Sequence, residues 1–215
     1  MAFEGDLEIH LTVREPDPTR GEALQSLASV RGWKYLHIIL ARGDTPSQPM
    51  LTRHVHGDLE SACHEASEAT RAFESAGFPV TRVKIEAAPW NEGVPQSDAE
   101  AQTVSRHFEH HIKLLLPPDA VTTALTFVAQ RHEAHLSRNA LKQRADGYAE
   151  RFVSQRCFGV GRATAQKRFD ALLSDLATFG HPVLDTEEEY VVHDSNLSLD
   201  NGWLQLAVIK QEANP

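Results

Sequence analysis

The sequence predicts an α+β chain of two tandem βαββαβ units, each an antiparallel sheet carrying two helices, facing one another across a cleft. Three observations predict it: an internal repeat, alternation of period-two and helical hydropathy patterns, and a break rich in Pro, Gly and acid between the copies. The stretch LEIHLTVREP (7–16) aligns with FEHHIKLLLP (108–117), placing Glu8 on Glu109, His10 on His111 and Thr12 on Lys113. MLTRHVHG (50–57) aligns with FVSQRCFG (152–159), placing Thr52 on Ser154 and His54 on Arg156. AFESAGFPVTRVKIE (72–86) aligns with LATFGHPVLDTEEE (176–189), with Gly77 on Gly180 and Pro79 on Pro182. Each match is short, but they recur in one order at similar spacing.

In the first copy Leu7, Ile9, Leu11 and Val13 alternate with Glu8, His10 and Thr12, the period of a strand with one buried face. A helix over 22–30 follows, then strands over 33–41 and 50–56. Residues 59–76 read as a helix with an apolar stripe of Leu59, Cys63, Ala66, Ala69 and Phe73, capped by Asp58 and ended by Gly77. A strand over 80–87 closes the copy. The second copy repeats the string: a strand over 108–116, a helix over 120–131, strands near 133–140 and over 151–158, a helix over 162–179 and a strand over 182–192. The segment 87–102 separates them, giving a first lobe 1–88, a linker 89–105 and a second lobe 106–215. After the second lobe, residues 193–210 predict a turn and a short extra strand anchored by Trp203. The order βαββαβ is the split βαβ, or ferredoxin-like, unit.

In such a unit both helices cover one face of the sheet. Leu7, Ile9, Leu11 and Val13 are then expected to meet the helices, leaving Glu8, His10 and Thr12 to face the cleft. The same reasoning puts Thr52, His54 and His56 there, and from the second copy Glu109, His111, Lys113, Ser154 and Arg156. On the fourth strands Arg82, Lys84 and Glu86 correspond to Asp185, Glu187 and Glu189, and His37 is expected to join them. Convergence of imidazoles, hydroxyls, cations and carboxylates in a concavity is what a reactive site requires.

Composition narrows the partners. A net charge of −9 argues against a nucleic-acid backbone, whose binding needs clustered Lys and Arg. No apolar run reaches the roughly 20 residues that cross a bilayer, and the opening MAFEGDLEIH lacks the pattern of a secretory signal, so a cytoplasmic location is expected. Cys63 and Cys157 are expected to be buried free thiols. The partner expected is a small anionic molecule, with no cofactor specified.

A strand histidine with a hydroxyl two residues on can share a phosphate, the hydroxyl binding an oxygen while the imidazole moves a proton. His10-Leu11-Thr12 has this form and resembles the H-x-T motif of the 2H phosphoesterases, which are also built from two pseudo-symmetric lobes. That resemblance implies acid-base work by His10, with His54 and His111 as further candidates, and anion binding by Thr12, Lys113 and Arg156. The other string of this form, His135-Leu136-Ser137, falls on the second strand of its lobe, and the repeat-equivalent His111-Ile112-Lys113 carries no hydroxyl. A second resemblance, ranked below the first for want of basic strand residues, is to the triphosphate-tunnel proteins. They duplicate the same unit around a charged tunnel and begin with an E-x-E-x-K strand, to which Glu109-His110-His111-Ile112-Lys113 is similar. Two alternatives stand beside these: a metal-dependent enzyme with His10, Glu86, His111 and Glu189 as ligands, and a non-catalytic protein that binds a small molecule in its cleft.

Three loops complete the reading. GDTPSQPM (43–50) is expected to be a stiff hairpin loop, and residues 137–151 to present Arg138, Lys142, Arg144 and Arg151 as a basic cluster that steers an anion. GVGR (159–162) is expected to be a strand-to-helix turn whose free amides can hold an anion.

Overall fold

The computed structural model describes residues 3–14, 20–101 and 105–202, so the extra strand and the Trp203 anchor expected near the C-terminus lie outside the described residues. The first copy comprises β1 (Glu4–Val13), α1 (Gly21–Val30), β2 (Lys34–Leu40), β3 (Ser47–Asp58), α2 (Leu59–Ser75) and β4 (Val80–Ala87). The second comprises β5 (His107–Leu116), α3 (Thr122–Arg131), β6 (Ala134–Asn139), β7 (Ala149–Phe158), α4 (Arg162–Ala177) and β8 (Val183–Asp194). This is the expected pair of βαββαβ units.

The two sheets do not merely face each other. β2 pairs with β6 and β4 with β8, both antiparallel, so the strands close into one barrel in the order β1-β3-β2-β6-β7-β5-β8-β4. Closure leaves no open sheet edge among the described strands. The cleft is therefore a barrel lumen. Helices lie outside, as the apolar pattern requires. Leu7, Ile9, Leu11 and Val13 pack into a core with Leu24, Ala66 and Phe73, while Ile112, Leu114 and Leu116 pack with Leu125, Phe169 and Leu172 in a second core. Burying each such aliphatic side chain contributes about 1.5–3 kcal/mol, which fixes which face of β1 and β5 turns outward and so forces their polar residues into the lumen.

Local signals act as expected in α2, where the Asp58 carboxylate accepts the Ser61 N–H at 2.7 Å and Gly77 follows the helix at φ 81°. Two loop readings need correction. β3 begins at Ser47, so half of GDTPSQPM is strand, with Pro49 paired opposite His37 beyond the end of the β1 ladder. The amides of GVGR are also not free for a ligand. Gly161 N–H donates to Asp98 Oδ1 at 2.8 Å and Thr164 Oγ1 to Asp98 Oδ2 at 3.0 Å, so the segment joining the two copies supplies the anion at the start of α4.

Candidate active site in the barrel lumen

The lumen is a cavity of about 340 Å³ into which every strand projects side chains. Exposure of these residues grades along the barrel. Arg82, Arg156, Thr12, Gln48 and Ser137 are buried at one end, while Asp185, Glu187 and His54 are exposed at the other. The buried end is closed by the 3-10 turn Leu197–Asp200, whose Asp200 Oδ2 accepts from Arg82 Nη1 at 2.8 Å and Arg156 Nη2 at 2.9 Å, and whose Oδ1 accepts from Gln48 at 3.2 Å. Arg82 also forms an ion pair with Asp194. That contact depends on a β-bulge: Ile85 pairs with His193 but Glu86 with Val191, leaving Val192 extra. The inserted residue reverses the alternation of β8, so Glu189 and Asp194, of opposite parity, both turn inward.

Midway along the lumen the repeat produces two matching clusters. Glu8, His10 and Glu189 bring one ligand atom each within 4.8 Å of one another, and so do Glu86, Glu109 and His111. Exchanging the copies converts one set into the other: Glu8 for Glu109, His10 for His111, Glu189 for Glu86. The symmetry breaks at one position. Lys84 lies beside His10 across the β1–β4 ladder, and its counterpart Glu187 lies beside His111 across β5–β8. The Lys84 ammonium sits 2.5 Å from Glu86 Oε1 and 3.4 Å from Glu109 Oε2, so the second cluster already holds a cation. Among the described residues no Lys or Arg lies at ion-pair distance from the first, which Lys84 reaches only at longer range.

Electrostatics follow from that difference. Burial alone raises a carboxyl pKa, but for Glu109 the Arg156 and Lys84 charges outweigh it and hold the pKa well below the ordinary 4.5. Lys84 and His10 do the same for Glu86, depressing its pKa. Glu189 has burial, Glu86 and Glu8 all acting in one direction, and its pKa lies well above 4.5. Burial resists charge on His10, yet the Glu86 carboxylate, 2.5 Å from its Nε2, outweighs it and raises the imidazole pKa above 6.5. His10 Nδ1 is buried with no hydrogen-bond partner among the described residues.

The remaining expected residues divide by position. Thr52 donates to Glu8. Ser154 Oγ lies 2.7 Å from His111 Nδ1, and His111 Nε2 lies 3.4 Å from Glu189. Lys113 lines the lumen with its Nζ 5.4 Å from the centre of the Phe152 ring, and Arg156 Nε donates to Glu109 at 3.2 Å. His54 stands at the open mouth, 83% exposed and 3.6 Å from Glu8. His56 does not reach the lumen: β3 has run past the rim there, and the imidazole, 78% exposed, pairs with Asp6. His37 is on the outer face, bonded to Ser47, because β2 turns Lys34, Leu36, Ile38 and Leu40 inward instead. His135 Nε2 accepts the Ala41 N–H at 3.1 Å, which removes it from proton transfer.

Sequence reasoning missed three groups. Lys34 is a lone cation in an apolar strand and Asp200 a loop acid with no periodic signal; the third is the inward row of β2. Of the expected basic loop, Lys142 lines the lumen but pairs with Glu150 at 2.9 Å, and Arg144 pairs with Asp146 at 2.6 Å.

No family model and no curated protein matches the chain. Among solved structures it is similar to the acetolactate synthase small subunit from Thermotoga maritima, at 12% identity over 85% of this chain and 92% of that one, with a TM-score of 0.28.

Proposed function

We propose that the chain is a divalent-cation-dependent hydrolase of small phosphorylated anions, working in the barrel lumen. The observation that carries this is the cluster Glu8, His10 and Glu189, whose symmetry mate is paired with Lys84 while it has no Lys or Arg at ion-pair distance among the described residues. Acids crowded in a low-dielectric cavity repel one another, and a dication removes that repulsion. The Glu86 carboxylate on His10 Nε2 is the usual outer partner of a metal-bound histidine, and it leaves Nδ1 as the ligating nitrogen. Imidazole with carboxylates suits Zn, Mn or Fe. Held by Glu8, His10 and Glu189, such a cation would supply Lewis-acid polarisation of a phosphoryl oxygen and acidification of water.

The chain's own groups supply the rest. Lys34 and Lys113 line the lumen with no ion-pair partner among the described residues, and so can receive substrate oxygens. His111, its Nδ1 held by Ser154, reaches Glu189 with Nε2 and is more open to the lumen than His10. His111 therefore moves the proton, and His10 holds the cation. Closure of two duplicated units around a lumen with one charged wall supports the triphosphate-tunnel resemblance more than the H-x-T one, since His135 is committed to a backbone amide.

The test is a thermal-shift titration with Mn²⁺ and Zn²⁺ together with phosphate release from a panel of phosphate esters and polyphosphates. One of these cations should raise Tm, chelation should abolish release, and Glu189→Gln should weaken cation binding by about 10-fold or more. Release that persists in chelator would overturn the proposal.

A further inference from the structure

The lumen has two unlike walls. In the closed order of eight strands, the strand four places from β2 is β8, so the inward row of β2 looks across the cavity at Glu187 and Glu189. Beyond Lys34 that row is apolar: Leu36, Ile38 and Leu40. Met50 of β3 pairs directly with Leu36 and adds to it, and Phe152 of β7 supplies a second apolar surface beyond the polar Ser137 and Asn139 of β6. Leu36, Ile38, Met50 and Phe152 are only half-buried although they point away from solvent into the barrel. None of the described helices covers them, because those pack on the outer face. An apolar wall facing a cavity of about 340 Å³, set opposite convergent polar groups, is the usual construction of a site for an organic ligand. A bare phosphate would use the ionic wall alone and leave this one wet. Lys113 joins the two regions, since its ammonium lies over the Phe152 ring, placing a cation for an anionic head beside a flat apolar surface for its substituent.

We propose that the barrel selects phosphate esters with an apolar or aromatic organic part, which packs on Leu36, Ile38, Met50 and Phe152 while the phosphoryl group faces Glu8, His10 and Glu189 across the lumen. The assignment rests on the function proposed above and narrows it from phosphorylated anions in general to amphipathic ones.

Calorimetric titration of the full chain with Mn²⁺ present, using inorganic phosphate, methyl phosphate, hexyl phosphate and phenyl phosphate, tests it. Hexyl and phenyl phosphate should bind at least 10-fold more tightly than methyl phosphate, each buried methylene adding affinity. Ile38→Asn should reduce that preference below about 3-fold, as expected for loss of apolar contact. Equal affinity for methyl and hexyl phosphate in the natural chain would overturn the apolar wall's role and leave the phosphohydrolase reading standing. Binding of none of the four would overturn both. The ligand series with the natural chain decides the matter even if Ile38→Asn does not fold.

Discussion

At the scale of single residues, Lys84 decides how the duplicated site works. It is 8% exposed, and its ammonium is shared between two carboxylates that are themselves buried, Glu86 and Glu109. Taking away one partner of a buried ionic set leaves uncompensated charge, which costs about 3–5 kcal/mol. Lys84→Met should therefore lower the unfolding free energy by about that amount in denaturant titrations. It also empties the second cluster, so Mn²⁺ should restore part of the lost Tm; a variant as stable as the natural chain would contradict this account. His10 and Glu8 were legible from the sequence because strand alternation assigns a face to each residue. Lys84 was assigned to the right face as well. Its pairing is not legible, because it reaches from β4 to Glu109 on β5, strands of different copies that are brought to either side of β8 only when the barrel closes.

The elements explain which expectations transferred. Strands with one apolar row facing a helix, such as β1 and β5, could be oriented from hydropathy alone. β2 could not, since Tyr35, His37 and Ile39 alternate with Leu36, Ile38 and Leu40 and both rows contain apolar residues. Periodicity is silent when both faces qualify. The bulge in β8 was equally hidden, as nothing in EEEYVVHD marks Val192 as the extra residue. At the α4 start the tight fit is stated by geometry: a Cβ on Gly161 would come within 2.3 Å of the Ser97 carbonyl carbon. Backbone cannot yield as a flexible side chain can, so Gly161→Ala should cost about 1–3 kcal/mol, read as a Tm lowered by about 3–10 °C. An unchanged Tm would mean the segment joining the copies does not pack there.

For the whole molecule, the duplication supplies the architecture and the departures from symmetry supply the chemistry. The seams that unite the copies are short. β2 and β6 share three residue pairs, from Ile38 opposite Asn139 to Leu40 opposite Ser137, whereas β5 and β7 share ten. The second copy also carries buried histidines whose pKa values are depressed. Burial is the main cause for His107 and His110, and for His135 burial together with Arg42 and Arg156 takes the value down to about 3. The unfolded chain binds these protons near pH 6.5 and the folded one does not. Their contribution to stability is thus complete above pH 6.5 and is lost as the pH falls, for His135 over the range down to about 3. His10, whose pKa is raised, acts in the opposite sense and above that range: its contribution is complete below pH 6.5 and is lost as the pH rises through its folded value. His135→Asn isolates one member: its Tm should fall less steeply between pH 6.5 and 5 than that of the natural chain, and identical slopes would refute the assignment.

The turn that carries Asp200 has a consequence for traffic through the barrel. With Asp200 held by Arg82, Arg156 and Gln48, the lumen formed by the described residues is a blind tube whose open rim lies by His54 and Asp185. A ligand must back out through the opening by which it came in, so products compete with incoming molecules for one doorway. A polymer cannot be pulled through; it can offer only its terminus.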